Sequence, residues 1–319
     1  MNELDVVYRG SLASAMSDFV KFKRAEGYDY KSRAEKLRKF DRFLCDNSYS
    51  RRILTREIVE KYISENAAVS PAARQADLSP VRVFSKFLRL FEPDSHVAGR
   101  APFRVPTGTR RHLFSRAETS ALIRAAGDSS RGDPTMGRCL AVLFGLLHST
   151  GLRIQEALNL NVENVDLKRN SLFIRRGKFG KDRQVAIHPS VAKRVAEWLR
   201  RRRRVASAAD SGRLFVNGEG LALKYGTVRK RFHKLVVELG IGADDPRAPR
   251  LHDFRHTYAS ECLERWRTAG DDVNAKLPIL ATAMGHVNVQ ATSRYLHATG
   301  EGLRRASDLF RSHALKRNQ

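Results

Sequence analysis

Leu251-His252-Asp253-Phe254-Arg255-His256 sets two imidazoles, a guanidinium and a carboxylate within six residues, at the head of an apolar-periodic run that reaches Trp266. Helical spacing puts His252 and Arg255 at i and i+3, on one face of a helix over 252–266. The same segment also offers His252 and His256 at i and i+4, the spacing of a two-histidine metal helix. Position 253 is Asp where the His-Glu-x-x-His pattern needs Glu, and no third ligand is evident, so a phosphate-binding face outranks a zinc site.

Working outward, four more segments carry reactive side chains. Thr150-Gly151-Leu152-Arg153-Ile154-Gln155-Glu156-Ala157-Leu158 places an arginine where a turn enters a helix. Gly177-Lys178-Phe179-Gly180-Lys181 is a doubly basic β-turn, Gly285-His286 ends a helix, and Arg294-Tyr295-Leu296-His297 brings a tyrosine soon after. These are the parts that phosphodiester transfer to a protein hydroxyl needs when no metal takes part. Two guanidinium forks can hold the non-bridging oxygens of a pentacovalent transition state by paired hydrogen bonds. A phenol of ordinary pKa, about 10, needs a base or a cationic site to attack at neutral pH. The departing sugar oxygen needs a proton, which a lysine on a hairpin can deliver. Taken singly, each residue has a plainer reading: Arg153 as a salt-bridge donor, Lys178 or Lys181 as a solvated turn lysine, His286 as a helix-ending residue, Tyr295 as a core aromatic. His256 reads as a helix residue that packs or hydrogen-bonds locally.

Around these segments the chain divides. Apolar residues recur at three- and four-residue spacing from about Leu12 to Phe91, with breaks at Gly27, near Asp46-Asn47 and around Pro71, which predicts a bundle of four or five helices. Residues 93–112 hold prolines, glycines and arginines with no apolar stripe, a linker signature. Ser115-Arg116-Ala117-Glu118 is a capping box that opens a second domain. Helices are expected there over 136–148, 153–158, 190–204, 227–239, 252–266, 274–284 and about 290–296. Three short β-prone runs, around Val165, Leu172-Phe173-Ile174 and Val185-Ala186-Ile187, predict a small antiparallel sheet. The expected organisation is a helical domain over 1–98, a basic linker over 99–112 and a mixed α/β domain over 113–319. Beyond the tyrosine, Leu303, Ala306, Leu309, Phe310 and Leu315 form an apolar stripe on a terminal helix.

The chain has 319 residues and a formal net charge of +25, from 59 Lys and Arg against 34 Asp and Glu. A basic surface of that size suits a polyanion, because each neutralised phosphate releases condensed counterions. The cations run through the whole sequence instead of clustering in one amphipathic helix, which favours nucleic acid over a membrane surface. Cys45, Cys139 and Cys262 are widely spaced and form no CxxC pair, so neither a zinc ribbon nor a disulfide framework is indicated. No basic-then-apolar leader pattern stands at Met1–Asp5, and the longest apolar run, Leu140 to Leu147, is too short to span a bilayer. A cytoplasmic, nucleoid-associated protein is expected, with no metal and no cofactor; no Walker-type phosphate loop is found.

The order Arg, hairpin Lys, His-x-x-Arg, Gly-His, Tyr resembles the tyrosine recombinase (phage integrase) family, over about Ser115 to Thr299. The helical region upstream resembles that family's SAM-like core-binding domain. The resemblance implies a mostly α chain with a small antiparallel sheet, folded as a C-shaped clamp around duplex DNA. It also implies roles: Arg153 and Arg255 clamp the scissile phosphate, His252 takes the proton from the nucleophile and Lys178 protonates the 5′ oxygen. His286 would hydrogen-bond the phosphate, and Tyr295 would form a 3′-phosphotyrosyl bond. Glu156 would support the site without doing chemistry. Because that covalent link conserves the bond energy, religation needs no ATP. The implied partners are double-stranded DNA with inverted-repeat core sites, a dimer of this chain per site and a tetramer in the synapse, with DNA-bending or partner recombinase proteins as further candidates. The implied role is integration or excision of a mobile element. Two rivals stand beside it: a type IB topoisomerase, which shares the chemistry but relaxes supercoils, and a non-catalytic DNA-binding accessory factor on the same fold.

Overall fold

The computed structural model describes residues 6–65, 70–99, 111–128, 133–175, 182–205, 212–245, 247–285, 290–293 and 295. Lys178, Lys181, His286 and the terminal stripe beyond Tyr295 lie outside them. The chain separates into two compact units, Met1–Thr109 and Arg110–Gln319.

The first unit contains α1 (Ala13–Ala25), α2 (Lys31–Asp46), α3 (Arg56–Glu65) and α4 (Pro71–Leu88). Each helix turns one apolar stripe inward, so Phe19, Leu37, Phe40, Val81 and Phe84 are wholly buried. Aromatic edges fix the packing: Phe19 meets Tyr30 with ring centroids 5.5 Å apart, and Tyr62 meets Phe40 at 4.9 Å and Phe43 at 5.0 Å. The buried Asp41 carboxylate accepts the backbone N–H groups of Arg9 at 2.7 Å and Gly10 at 2.9 Å, which ties the segment before α1 to α2. Pro71 starts α4 behind the N-cap Ser70, a position where its missing N–H matters least.

The second unit carries α5 (Arg116–Asp128), α6 (Pro134–Thr150), α7 (Ile154–Leu158), β1 (Val165–Asp166), β2 (Ser171–Ile174), β3 (Arg183–Ala186), α8 (Pro189–Arg202), α9 (Tyr225–Glu238), α10 (Asp253–Thr268), α11 (Val273–Met284) and α12 (Gln290–Ser293). The strands form one antiparallel sheet in the order β1-β2-β3, with Leu172 opposite Val185 and Ile174 opposite Arg183. Helix α5 opens with the expected capping box: Ser115 N–H donates to Glu118 at 2.7 Å, and Glu118 N–H donates back to the Ser115 hydroxyl at 3.1 Å. Helix α6 runs through the core, burying Leu140, Leu143, Phe144 and Leu147, and ends on Gly151 in the left-handed region, φ +61°. A Cβ at Gly151 would run into the Tyr258 ring, so both the backbone angle and the space demand glycine there. Among the described residues no helix is long and apolar enough to cross a membrane.

Helix α10 departs from the amphipathic reading. Asp253, Phe254, Arg255, His256 and Thr257 are buried in succession, so the first turn is enclosed on every side. Phe254 anchors it, with its ring 4.7 Å from Phe114, 5.8 Å from Phe144 and 5.9 Å from Phe232. His252 is the N-cap of α10, one position before the helix, and remains exposed.

Candidate active site

The site assembles around the C-terminal end of α11. The last carbonyls of a helix have no partner within it and carry partial negative charge, so they attract cations. Three arginines from three elements converge on them. Arg153, at the N-terminus of α7, donates to Gly285 O at 3.0 Å and Met284 O at 3.4 Å. Arg255, in the first turn of α10, donates to Met284 O at 2.7 Å and to Gly151 O at 2.7 Å. Arg183, the first residue of β3, donates through Nε to Ala283 O at 3.1 Å. The two arginines assigned to phosphate are therefore neighbours on one carbonyl, although 102 positions separate them in sequence.

Glu156 is the counter-charge. Its carboxylate accepts both prongs of Arg183, at 2.7 and 3.1 Å, a single prong of the Arg153 guanidinium at 2.8 Å, and the Arg153 backbone N–H at 3.1 Å. Burial opposes ionisation of this carboxyl, but the hydrogen bonds and charge of Arg183, with those of Arg153, outweigh it and hold the group below the usual carboxylate range. Three guanidiniums against one carboxylate leave the site positive. Arg255 is 2% exposed, and burial together with the charge of Arg153 lowers its pKa to about 10, so it remains a cation at neutral pH. With its shape fixed by two carbonyls, it presents preorganised donors to an anion.

His252 has access to solvent, yet the protein packed under its ring and the charges of Arg255, Arg153, Arg250 and Arg111 lower its pKa to about 4. The imidazole is neutral at pH 7 and can accept a proton. Its edge lies against His256, with ring centroids 4.8 Å apart. His256 is buried, and burial followed by the field of His252 and of Arg111, Arg250 and Arg255 lowers its pKa to about 3.

Tyr295 is 2% exposed and packs with Ala259, Leu263, Leu277, Leu280 and Met284. Its hydroxyl lies 3.0 Å from His256 Nδ1, and the Arg111 guanidinium stands 5.5 Å from its ring centroid. Arg153, His252, Arg255 and Tyr295 are thus brought into one neighbourhood. The His252–His256 pair is not completed as a metal centre: among the described residues no group of three or more His, Cys, Asp or Glu could hold an ion.

Two participants, Arg183 and Arg111, escaped sequence reasoning. Arg183 had a usable signal, since it alternates with Val185 and Ile187 on the inward face of a strand, where an arginine needs a partner. His256 fits its sequence reading as a helix residue that packs or hydrogen-bonds nearby, with the Tyr295 hydroxyl as its partner. Arg111 sits at the end of a stretch read as linker and had no signal at all.

Comparison with known proteins places these features in a family. The model described as the phage integrase family matches residues 115–301. A Sinorhizobium fredii protein named integrase/recombinase y4rB is 33% identical over 302 residues, covering 92% of this chain and 94% of its own length. Tyrosine recombinase XerC of Alcanivorax borkumensis is 27% identical over 237 residues, 73% of this chain and 71% of its own. In fold, the chain is similar to the Tn1549 transposon integrase solved with circular intermediate DNA, with a TM-score of 0.65 at 16% identity over 92% of this chain and 98% of that one. It is also similar to XerH site-specific recombinase bound to its difH substrate, at a TM-score of 0.61 and 18% identity over 87% and 78% of the two chains.

Proposed function

The chain belongs to the phage integrase family, and from that premise we propose that it cuts and rejoins duplex DNA with Tyr295 as its nucleophile. It is a DNA recombinase of the tyrosine type, and DNA is its partner. The observation that carries the site reading is the convergence of Arg153 and Arg255 on the α11 terminus, the element that leads to Tyr295.

In the proposed reaction the scissile phosphate lies between the free N–H groups of Arg153 and Arg255, which bear the charge that develops on its oxygens. The Tyr295 oxygen bonds to phosphorus, the bond to the 5′ oxygen breaks, and a 3′-phosphotyrosyl link remains. His252, neutral at pH 7, takes the phenol proton, and Lys178 gives a proton to the departing 5′ oxygen. A phosphate bound to the arginines cancels part of the positive field that makes His252 a weak base, so its proton affinity rises when substrate is in place. His286 is assigned a hydrogen bond to the phosphate. A 5′-hydroxyl from a second strand then reverses the step, so exchange consumes no nucleotide. The buried Tyr295 hydroxyl, bonded to His256, must leave its pocket before it can reach DNA.

Inverted-repeat core sites, a dimer of this chain on each site, a tetrameric synapse and a role in moving a genetic element complete the proposal. A nicked duplex carrying the DNA that flanks the gene tests its chemistry. Wild type should give a covalent protein–DNA band on a denaturing gel, and Tyr295→Phe should bind the same DNA without forming it. A band that persists with Tyr295→Phe refutes the nucleophile, and no band from wild type bound to that DNA refutes the cleavage reading.

A further inference from the structure

Arg183 has no role in the reaction as written above, yet its guanidinium makes three hydrogen bonds within the site, as many as that of Arg153 and one more than that of Arg255. Both terminal nitrogens bind Glu156, at 2.7 and 3.1 Å, and Nε binds the carbonyl of Ala283 at 3.1 Å. Its side chain is 10% exposed and that of Glu156 is 8% exposed, so neither charge is screened by much water. Gly285 leaves room for the guanidinium: a Cβ built there would lie 2.8 Å from Nη1.

The consequence falls on Arg153. Glu156 accepts one nitrogen of the Arg153 side chain, at 2.8 Å on Oε1, while Arg183 takes a position on each carboxylate oxygen and the Arg153 backbone N–H takes another on Oε2. A carboxylate beside a lone arginine takes both prongs of its fork, the stronger geometry. Remove Arg183, and Glu156 is free to take both prongs of Arg153 and to cancel its charge. Nη2 of Arg153, which now donates to Gly285 O, would then turn to the carboxylate and away from the phosphate.

We infer that Arg183 is a positioning residue for strand cleavage: by holding Glu156 in a two-pronged ion pair, it keeps the fork and the charge of Arg153 available to the scissile phosphate. The inference rests on the cleavage reading above. It also differs from the simpler idea that Arg183 anchors the hairpin that carries Lys178. Its backbone pairs with Ile174 in the sheet, but all the side-chain bonds run toward Glu156 and α11, the supports of the phosphate clamp, and the two ideas separate by experiment.

The test compares Arg183→Met, Arg183→Lys and each of these combined with Glu156→Gln, using covalent adduct formation on a nicked duplex, DNA affinity and thermal melting. Arg183→Met should slow adduct formation about 100-fold, the size of effect a misplaced reacting group produces. DNA affinity should stay within about 2-fold, because many other cations hold the backbone. Adding Glu156→Gln should recover at least about 10-fold, since the neutral amide still accepts from Arg153 but no longer competes for its charge. Arg183→Lys keeps a cation in place with one contact instead of two, guards against a misfolded methionine variant, and should show the same recovery in smaller measure. Double variants no faster than the single ones would overturn the inference, as expected if Arg183 only holds the fold together. Rescue of Arg183→Met by a 5′-bridging phosphorothiolate, which leaves without a proton donor, would also overturn it by showing that Arg183 acts through the hairpin lysine. Wild type without adduct overturns the cleavage reading and this inference with it; wild type with adduct but without recovery overturns this inference alone.

Discussion

His256 should make the catalytic unit sensitive to acid, by an amount that follows from its position. Its ring is 5% exposed and its pKa is lowered from 6.5 to about 3, by burial and then by the charges around it. A native value below the unfolded one means that the folded chain binds fewer protons, so the contribution is complete above pH 6.5 and is lost as pH falls toward 3. Each pH unit below 6.5 removes about 1.4 kcal/mol, so stability drops by about 2 kcal/mol between pH 7 and pH 5 on account of this one ring. His256→Gln keeps a side chain of similar reach that can hydrogen-bond Tyr295 and does not titrate. Urea unfolding followed by tryptophan fluorescence reads the effect in the right place, because Trp198 and Trp266 both lie within Arg110–Gln319 and the chain has two tryptophans. Wild type should lose about 2 kcal/mol more than His256→Gln between the two pH values. His252 is present in both proteins, so its own titration largely cancels in the difference. Equal losses would refute the reasoning and show that the ring gains its proton in the folded state as readily as in the unfolded one.

Three other outcomes follow from the geometry. Gly285→Ala, at φ +66°, should cost about 1–2 kcal/mol in backbone strain and, by displacing Arg183, reduce adduct formation in the nicked-duplex assay; unchanged melting would count against the strain. Arg255→Lys should reduce the adduct rate about 10²–10³-fold with DNA binding retained, because an ammonium cannot serve the phosphate and the carbonyls of Gly151 and Met284 together; gel shift and adduct yield, measured side by side, decide it. Phe254→Ala should cost about 3–5 kcal/mol by opening a cavity among Phe114, Phe144 and Phe232, read as a lower urea midpoint; a loss below about 1 kcal/mol would mean that the first turn of α10 is held by other contacts.

The sequence by itself determined what depends on local patterns. Three- and four-residue apolar spacing marks the helices around Phe19, Phe40 and Leu143, and the Ser115–Glu118 box marks the start of α5, because both obey the geometry of a single turn. Short β-prone runs around Leu172 and Val185 mark the sheet, and the ordered reactive segments indicate the family, because the chemistry dictates the residue types. The tertiary structure alone decided how those residues are held. Arg255 reaches Gly151 across 104 positions and Arg153 reaches Gly285 across 132, and in both cases the acceptor is a backbone carbonyl. Every residue has such a carbonyl, so nothing in the side-chain sequence singles it out. The same holds for the helix end that gathers Arg153, Arg183 and Arg255: its negative charge belongs to the folded backbone of α11 and comes into being only when that helix stops beside them. Nor could the pairing of Tyr295 with His256 be read in advance, since it joins two residues that share a pocket and no pattern.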